Sequence, residues 1–204
     1  MEPACVSSRS QTKNLLLLTH AGSTTKGNYT IMTHSGKRLA VLVEQKYEEL
    51  ELWYPVLRFR EAGATVTLVG PEGGRTYPSK LGYPAKADMA AKDADMSRFD
   101  GLLIPGGFCP DYIRRSADML KLVRQAVALN KPIAAICHGP WVLCSTDAFR
   151  GGRKVTSFSS IKDDVINAGA TWVDAEVVVD GNIITSRTPA DLPAFTSALL
   201  LALA

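Results

Sequence analysis

The sequence predicts an α/β fold, a doubly wound and mostly parallel sheet with helices on both faces, occupying residues 38–204. Three observations lead there. At 204 residues the chain holds one domain with a segment left over. From Arg38 onward, strand patterns and helix patterns alternate. The strands are short runs of β-branched or apolar residues, as expected where a sheet is covered on both faces.

Taken in order, Leu39-Ala-Val-Leu-Val43 reads as the first strand. Residues 48–62 follow as a helix, with Leu50, Trp53, Val56 and Leu57 at helical spacing and Gly63 as the stop. Residues 64–69 are a second strand and complete a βαβ unit. Leu102-Leu-Ile104 is a strand ended by Pro105-Gly-Gly107, and residues 116–130 form a helix with Met119, Leu122, Val123, Ala126 and Val127 on one face. Pro132 opens a strand over 133–136, and another helix starts near Gly139. Residues 176–179 and 183–185 flank Asp180-Gly-Asn182, a hairpin turn signal, and residues 189–203 form a closing helix.

Residues 1–37 read differently. They contain eleven Ser or Thr, one acid and no useful helical or strand period, so they are expected to be an unstructured extension that does not fold with the body. A Ser-rich, acid-poor segment suits a targeting peptide, but a single Arg supports that poorly. Sequence upstream of a true start at Met32 is the preferred reading.

Charge and length exclude several classes of function. The net charge is +3, and the extension accounts for it with four basic residues and one acid; residues 38–204 hold 19 of each sign. A neutral body without a basic stripe gives no electrostatic case for nucleic acid or anionic lipid. Apolar runs such as 15–18 and 198–204 fall short of the roughly 20 residues of a membrane span. The run 15–18 is also too short for a secretory signal, so a cytoplasmic protein with reduced cysteines is expected. The body has one histidine and no Cys-x-x-Cys pair, so neither a metal nor another cofactor is expected.

In such folds the ligand crevice lies beyond the carboxyl ends of the strands. Residues 44–51, 105–111 and 137–140 fall there. Most intracellular cysteines are core packing, but Cys137 stands where a strand turns sharply into a helix, the arrangement of a nucleophile elbow. A helix N-terminus there would lower its pKa. Cys109 and Cys144 read as packing. His138 is the imidazole available to a mechanism, because a papain-like or glutamine amidotransferase triad needs a downstream histidine that the sequence lacks. Glu48, Glu49 and Glu51 open the first helix. Such carboxylates ordinarily complement the helix dipole, but one that points inward can serve as a general acid or base. The residues alone leave open which.

Five segments, Tyr47-Glu-Glu-Leu-Glu-Leu-Trp-Tyr-Pro55, Leu103-Ile-Pro-Gly-Gly107, Ala134-Ala-Ile-Cys-His-Gly-Pro140, Ile161-Lys-Asp-Asp-Val-Ile-Asn-Ala-Gly169 and Asp180-Gly-Asn-Ile-Ile-Thr-Ser-Arg187, occur in order with compatible spacing. Together they resemble the PfpI-like branch of the DJ-1/PfpI family, within the class I glutamine amidotransferase-like superfamily, over residues 38–204. The resemblance implies a flavodoxin-like sandwich. It also implies Cys137 as nucleophile, Glu51 as the carboxylate touching its sulfur, and His138 as catalytic partner. Asp111 is implied as the acid that reaches the histidine of a neighbouring subunit, and the amides of Gly107 and His138 as the oxyanion hole. Two positions depart from the family: Cys109 replaces another small residue, and Phe158 stands where relatives often have Tyr or His.

The resemblance implies a stress-related, cysteine-dependent enzyme and a homo-oligomer. The favoured substrates are small dicarbonyls such as methylglyoxal, as for a glutathione-independent glyoxalase, or glycated amines, as for a deglycase. A PfpI-type peptidase acting on peptides and a redox-sensing, chaperone-like protein without turnover are the alternatives.

Overall fold

The structure, a computed structural model, describes residues 23–26 and 29–204, with side chains from residue 33 onward. Most of the predicted extension, residues 1–22 and 27–28, lies outside the described residues. Within it, Ser23–Lys26 (β1) pairs antiparallel with Tyr29–Met32 (β2) in a two-stranded sheet of their own, which corrects the expectation of no strand in this segment.

The body also begins earlier than residue 38. The N–H of His34 donates to the carbonyl of Ala62 at 2.6 Å, and that of Thr65 donates to the carbonyl of Lys37 at 2.9 Å. The His34 ring is buried, with Nε2 2.8 Å from the carbonyl oxygen of Leu200. These contacts join residues far apart in sequence, so no local pattern announces them. His138 is therefore not the only histidine of the body, although His34 plays no part in the crevice.

The body is built on a seven-stranded sheet. Its strands in chain order are Arg38–Leu42 (β3), Thr65–Gly70 (β4), then, after a small antiparallel hairpin of Thr76–Pro78 (β5) and Pro84–Lys86 (β6), Met89–Ala90 (β7) and Gly101–Ile104 (β8). Ile133–Ile136 (β9) follows, then a two-residue parallel pair formed by Lys154–Val155 (β10) and Thr171–Trp172 (β11), then Val177–Asp180 (β12) and Ile183–Ser186 (β13). Across the sheet the order is β12-β13-β9-β8-β3-β4-β7, parallel throughout except for the β12 edge, which closes the predicted hairpin with β13. Every residue of β8 and β9 is buried, as strands covered on both faces must be.

The helices are Glu49–Glu61 (α1), Cys109–Arg114 (α2), Ala117–Ala128 (α3), Pro140–Leu143 (α4), Lys162–Asn167 (α5) and Leu192–Ala202 (α6). α1 packs with α6, while α2 packs with α3 and α4, so the sheet is covered on both faces. α3 buries Met119, Leu122, Val123 and Ala126, as its sequence predicts.

α1 buries only part of the expected stripe: Val56 is buried and Trp53 packs against the core. Leu50 and Leu57 are 57% and 58% exposed, and the buried face is Glu51, Leu52, Pro55, Val56 and Phe59. The sequence offers two apolar stripes on this helix. Tertiary packing chose the one that carries a glutamate and a proline, and in doing so turned Glu51 inward.

Candidate active site

The chain starts its sheet in the middle, at β3, and then builds outward on both sides, so the strand order reverses between β3 and β8. A crevice opens at the carboxyl ends of strands at such a point. Glu51 follows β3, Gly106 and Gly107 follow β8, and Cys137 and His138 follow β9.

Cys137 has φ of 60°, a left-handed backbone that a non-glycine residue adopts at a cost of about 1–3 kcal/mol. It is held there from both sides: its N–H donates to the carbonyl of Ser186 at 3.0 Å, and its own carbonyl accepts from Phe158 N–H at 2.9 Å. The elbow predicted from sequence is thus present. The helix behind it, α4, is only four residues long and supplies little dipole.

Glu51 has no exposure at all. Its Oε2 accepts from the N–H of Gly106 at 2.7 Å, and its carboxyl faces the Cys137 thiol while Oε1 is buried without a complete hydrogen bond. Burial first, and the neighbouring charge of Glu48 second, push the Glu51 carboxyl up to about 8. At neutral pH the carboxyl is therefore held mainly in its protonated form.

The other two carboxylates of the first turn do different work. Glu48 caps α1, its Oε2 accepting from Glu51 N–H at 2.9 Å, and its Oε1 lies 3.5 Å from Lys80 Nζ. Glu49 binds the tip of the β5–β6 hairpin through Ser79 Oγ and the N–H of Leu81. Glu51 is the one that reaches the sulfur.

Two glycines bring these groups together. A Cβ on Gly106 would lie 2.6 Å from Glu51 Oε2, 2.8 Å from the Cβ of Cys137 and 2.9 Å from the N of His138. Gly107 has φ of 74° and presses against the backbone of Lys46 and Glu48. A side chain at Gly106 would push the carboxyl and the thiol apart, and one at Gly107 would collide with the backbone of residues 46–48.

The thiol itself departs from the sequence expectation. Cys137 is 8% exposed, and burial first, then the Glu51 charge, push its pKa up to about 12 rather than down. The N–H groups of Gly107 and His138 favour the thiolate but do not outweigh desolvation. The sulfur at rest is a thiol and needs a base. The imidazole Nδ1 of His138 lies 3.3 Å from Sγ, and burial lowers the pKa of this ring, which keeps it neutral and able to accept a proton. On its far side, Nε2 lies 3.1 Å from Ser160 Oγ.

Asp111 is not on a loop, as its sequence context suggested, but in the first turn of α2, paired with Arg115 at 3.1 Å. It lines an open crevice of about 220 Å³ together with Gly107, Phe108, His138, Trp141 and Asp164. Within one chain it does not meet the His138 ring. Cys109 and Cys144 stay outside the cluster: Cys109 is fully buried with its Sγ toward the carbonyls of Pro105 and Gly106, and Cys144 points at those of Pro140 and Asp164. All three described cysteines are free thiols; Cys5 lies outside the described residues. Among the described residues no group of His, Cys, Asp and Glu is arranged to hold a metal ion, and no helix is long and apolar enough to cross a membrane.

Sequence reasoning missed Gly106 and Ser160. Gly106 could have been found from its place in the Pro-Gly-Gly strand end, whereas nothing local marks Ser160.

Comparison with known proteins gives one consistent result. The model of the DJ-1/PfpI family matches residues 37–202. The chain is 47% identical over 159 residues to "Putative cysteine protease YraA" of Bacillus subtilis, covering 78% of this chain and 94% of that protein. It is 44% identical over 158 residues to Deglycase PH1704 of Pyrococcus horikoshii, with the same coverage. Among solved structures, a two-domain protein of Anabaena variabilis with DJ-1/ThiJ/PfpI-like and ferritin-like domains superposes with a TM-score of 0.79 at 41% identity, covering 82% of this chain and 48% of that one. This chain thus spans about half the length of that two-domain protein.

Proposed function

The chain belongs to the DJ-1/PfpI family, and from that premise we propose that it is a cysteine-dependent enzyme acting on small carbonyl compounds: a dicarbonyl such as methylglyoxal, or the early adduct of one on an amine. The observation that carries this reading is the Cys137 thiol, 8% exposed between Glu51 and His138. A sulfur this enclosed favours a small aldehyde over the carbonyl of an extended peptide. The deglycase name of the Pyrococcus relative supports the same substrate class.

In the proposed sequence His138 Nδ1 takes the thiol proton as Sγ bonds to the aldehyde carbon, and the carbonyl oxygen takes a proton from Glu51. The amides of Gly107 and His138 are the donors assigned to that oxygen while it gains charge. Glu51, now ionised, removes the proton from the former aldehyde carbon. The resulting enediol is reprotonated at the adjacent carbon and leaves a thioester. Water cleaves the thioester, the sulfur recovers its proton from His138, and a hydroxy acid departs. One dicarbonyl and one water give one hydroxy acid, with no external oxidant or reductant. With an amine adduct, the amine leaves as the C–S bond forms.

A resting thiol at about 12 makes a free thiolate scarce. Rate therefore depends on proton transfer in step with bond formation, and each positioned acid or base contributes roughly a hundredfold or more. Asp111 enters only through a second copy of the chain. Paired with Arg115 on the crevice wall, it has its proposed role on the His138 of another subunit in a homo-oligomer.

The test is side-by-side turnover of methylglyoxal, a methylglyoxal-treated amine and a fluorogenic peptide by the full chain and by Cys137→Ser. The expected result is hydroxy acid from the wild type, at least about a thousandfold less from the variant, and no peptide cleavage. Cys137-dependent peptide hydrolysis with methylglyoxal untouched would replace this reading with the proteolysis that the Bacillus relative's name suggests. Turnover of none of the three would also overturn it.

A further inference from the structure

The tip of the β5–β6 hairpin is fastened to the start of α1. The N–H of Lys80 donates to the carbonyl of Tyr47 at 3.0 Å, and that of Lys46 donates to the carbonyl of Pro78 at 2.7 Å. The Tyr47 hydroxyl donates to the carbonyl of Tyr83 at 2.6 Å, and the Trp53 and Tyr83 rings meet edge to face with centroids 5.9 Å apart. Glu49 holds Ser79 and the N–H of Leu81. With the backbone fixed on both sides of it, Lys80 reaches Glu48, where Nζ lies 3.5 Å from Oε1.

Glu48 in turn touches the proposed acid. It is 8% exposed, and its Oε2 accepts from the N–H of Glu51 at 2.9 Å while Oε1 faces Lys80. One carboxylate thus stands between a cation from the hairpin and the buried Glu51. The other ionisable groups around Glu51 are the thiols of Cys137, after β9, and Cys109, at the start of α2. Burial raises both thiols, so they add no charge near neutral pH. Lys80 supplies the positive charge of this group.

That charge bears on the chemistry. In the proposed sequence Glu51 gives a proton to the carbonyl oxygen and then, as a carboxylate, removes one from carbon. A carboxyl with no exposure beside a second carboxylate holds its proton tightly, which hinders both its release and the return to a working base. We propose that Lys80 is a positioning residue for Glu51: from the hairpin tip it offsets the charge of Glu48 and fixes the cap, leaving the buried acid able to release its proton and take one back. The inference rests on the reading of Glu51 as acid and base. The two charges act in the directions it requires, since Glu48 raises the pKa of the Glu51 carboxyl and Lys80 lowers it.

The experiment observes Glu51 without substrate, which separates failure of this inference from failure of the carbonyl-enzyme reading. The side-chain carboxyl carbon of Glu51, identified by its loss in Glu51→Gln, is titrated by 13C NMR in the full chain of the wild type, Lys80→Met, Lys80→Arg and Glu48→Gln. Expected in Lys80→Met, which keeps the aliphatic stem, is an upward move of the Glu51 midpoint by at least about half a pH unit. Lys80→Arg should hold the wild-type midpoint. Glu48→Gln, which keeps an acceptor for the Glu51 N–H, should move it down. Opposite moves identify charge as the cause, because a site merely loosened by either substitution would shift the same way in both. A wild-type midpoint in Lys80→Met would overturn the proposal. So would a move in one direction in both Lys80→Met and Glu48→Gln, or a Lys80→Arg midpoint that follows Lys80→Met.

Discussion

Cys137 and Cys109 follow neighbouring strands, β9 and β8, and both are buried thiols whose pKa values burial pushes up. Their surroundings differ in the groups that face the sulfur. Cys109 directs Sγ at two carbonyl oxygens, those of Gly106 at 3.4 Å and Pro105 at 3.7 Å, and the backbone of Glu44 gives its sulfur a single stabilising hydrogen bond. Cys137 meets the N–H groups of Gly107 and His138, the protonatable carboxyl of Glu51 and Nδ1 of an imidazole. One residue parts the two sites, since Gly106 gives its N–H to Glu51 and its carbonyl to Cys109. Cys109 is even the first residue of a helix, the position usually said to activate a cysteine. What separates the proposed nucleophile from Cys109 is the imidazole and the additional N–H group around its sulfur, not burial, strand-end position or a helix N-terminus.

The largest expected effect breaks the comparison at the sulfurs themselves. Cys137→Ser should remove turnover, because a hydroxyl there has no base strong enough to ionise it, whereas Cys109→Ser should keep activity within about twofold and lose roughly 1 kcal/mol of stability. In the native protein iodoacetamide should label Cys137 and leave Cys109 unmodified. Labelling of Cys109 first would show that the imidazole and the additional N–H group do not govern reactivity.

Next comes the acid that only Cys137 possesses. Glu51→Gln keeps the acceptor for Gly106 N–H but removes the exchangeable proton, and turnover should fall about a hundredfold. It should also change how stability depends on pH. The folded pKa of Glu51 is raised from 4.5 to about 8, so the native state binds the proton more tightly than the unfolded chain. Its stabilisation is full below the unfolded value and is lost as pH rises through about 8. Urea unfolding at about pH 5 and about pH 8.5 should show a decline in the wild type that is smaller in Glu51→Gln. Equal slopes would mean that Glu51 is ionised in the native state.

The smallest effect probes the divider. Gly106→Ala would drive a methyl group into Glu51 Oε2 and the Cys137 Cβ, separating acid from thiol while leaving the Cys109 packing nearly as it was. Activity should fall about tenfold, with a stability loss of about 1–3 kcal/mol. Kinetics and thermal melts on one preparation read both, and a fully active, fully stable variant would show that the close approach at Gly106 is not needed.

The sequence by itself determined the sheet, the buried strands, the buried face of α3 and the elbow at Cys137, because each follows from a local period or from punctuation by glycine and proline that the chain carries wherever it folds. Residues 105–107 and 137–140 were legible as a strand-end site for the same reason. Other features depended on contacts between residues distant in sequence. Which face of α1 is buried, and so which glutamate reaches the thiol, was settled by packing against the sheet and α6, which left Leu50 and Leu57 of the predicted stripe exposed. That Asp111 opens a helix, that His34 belongs to the body, and that Ser160 faces His138 are likewise products of assembly. So is the upward shift of the Cys137 thiol. A cysteine's neighbours in the chain do not reveal how much water it loses or which oxygens and nitrogens will face it, and desolvation together with the direction of nearby dipoles sets its acidity.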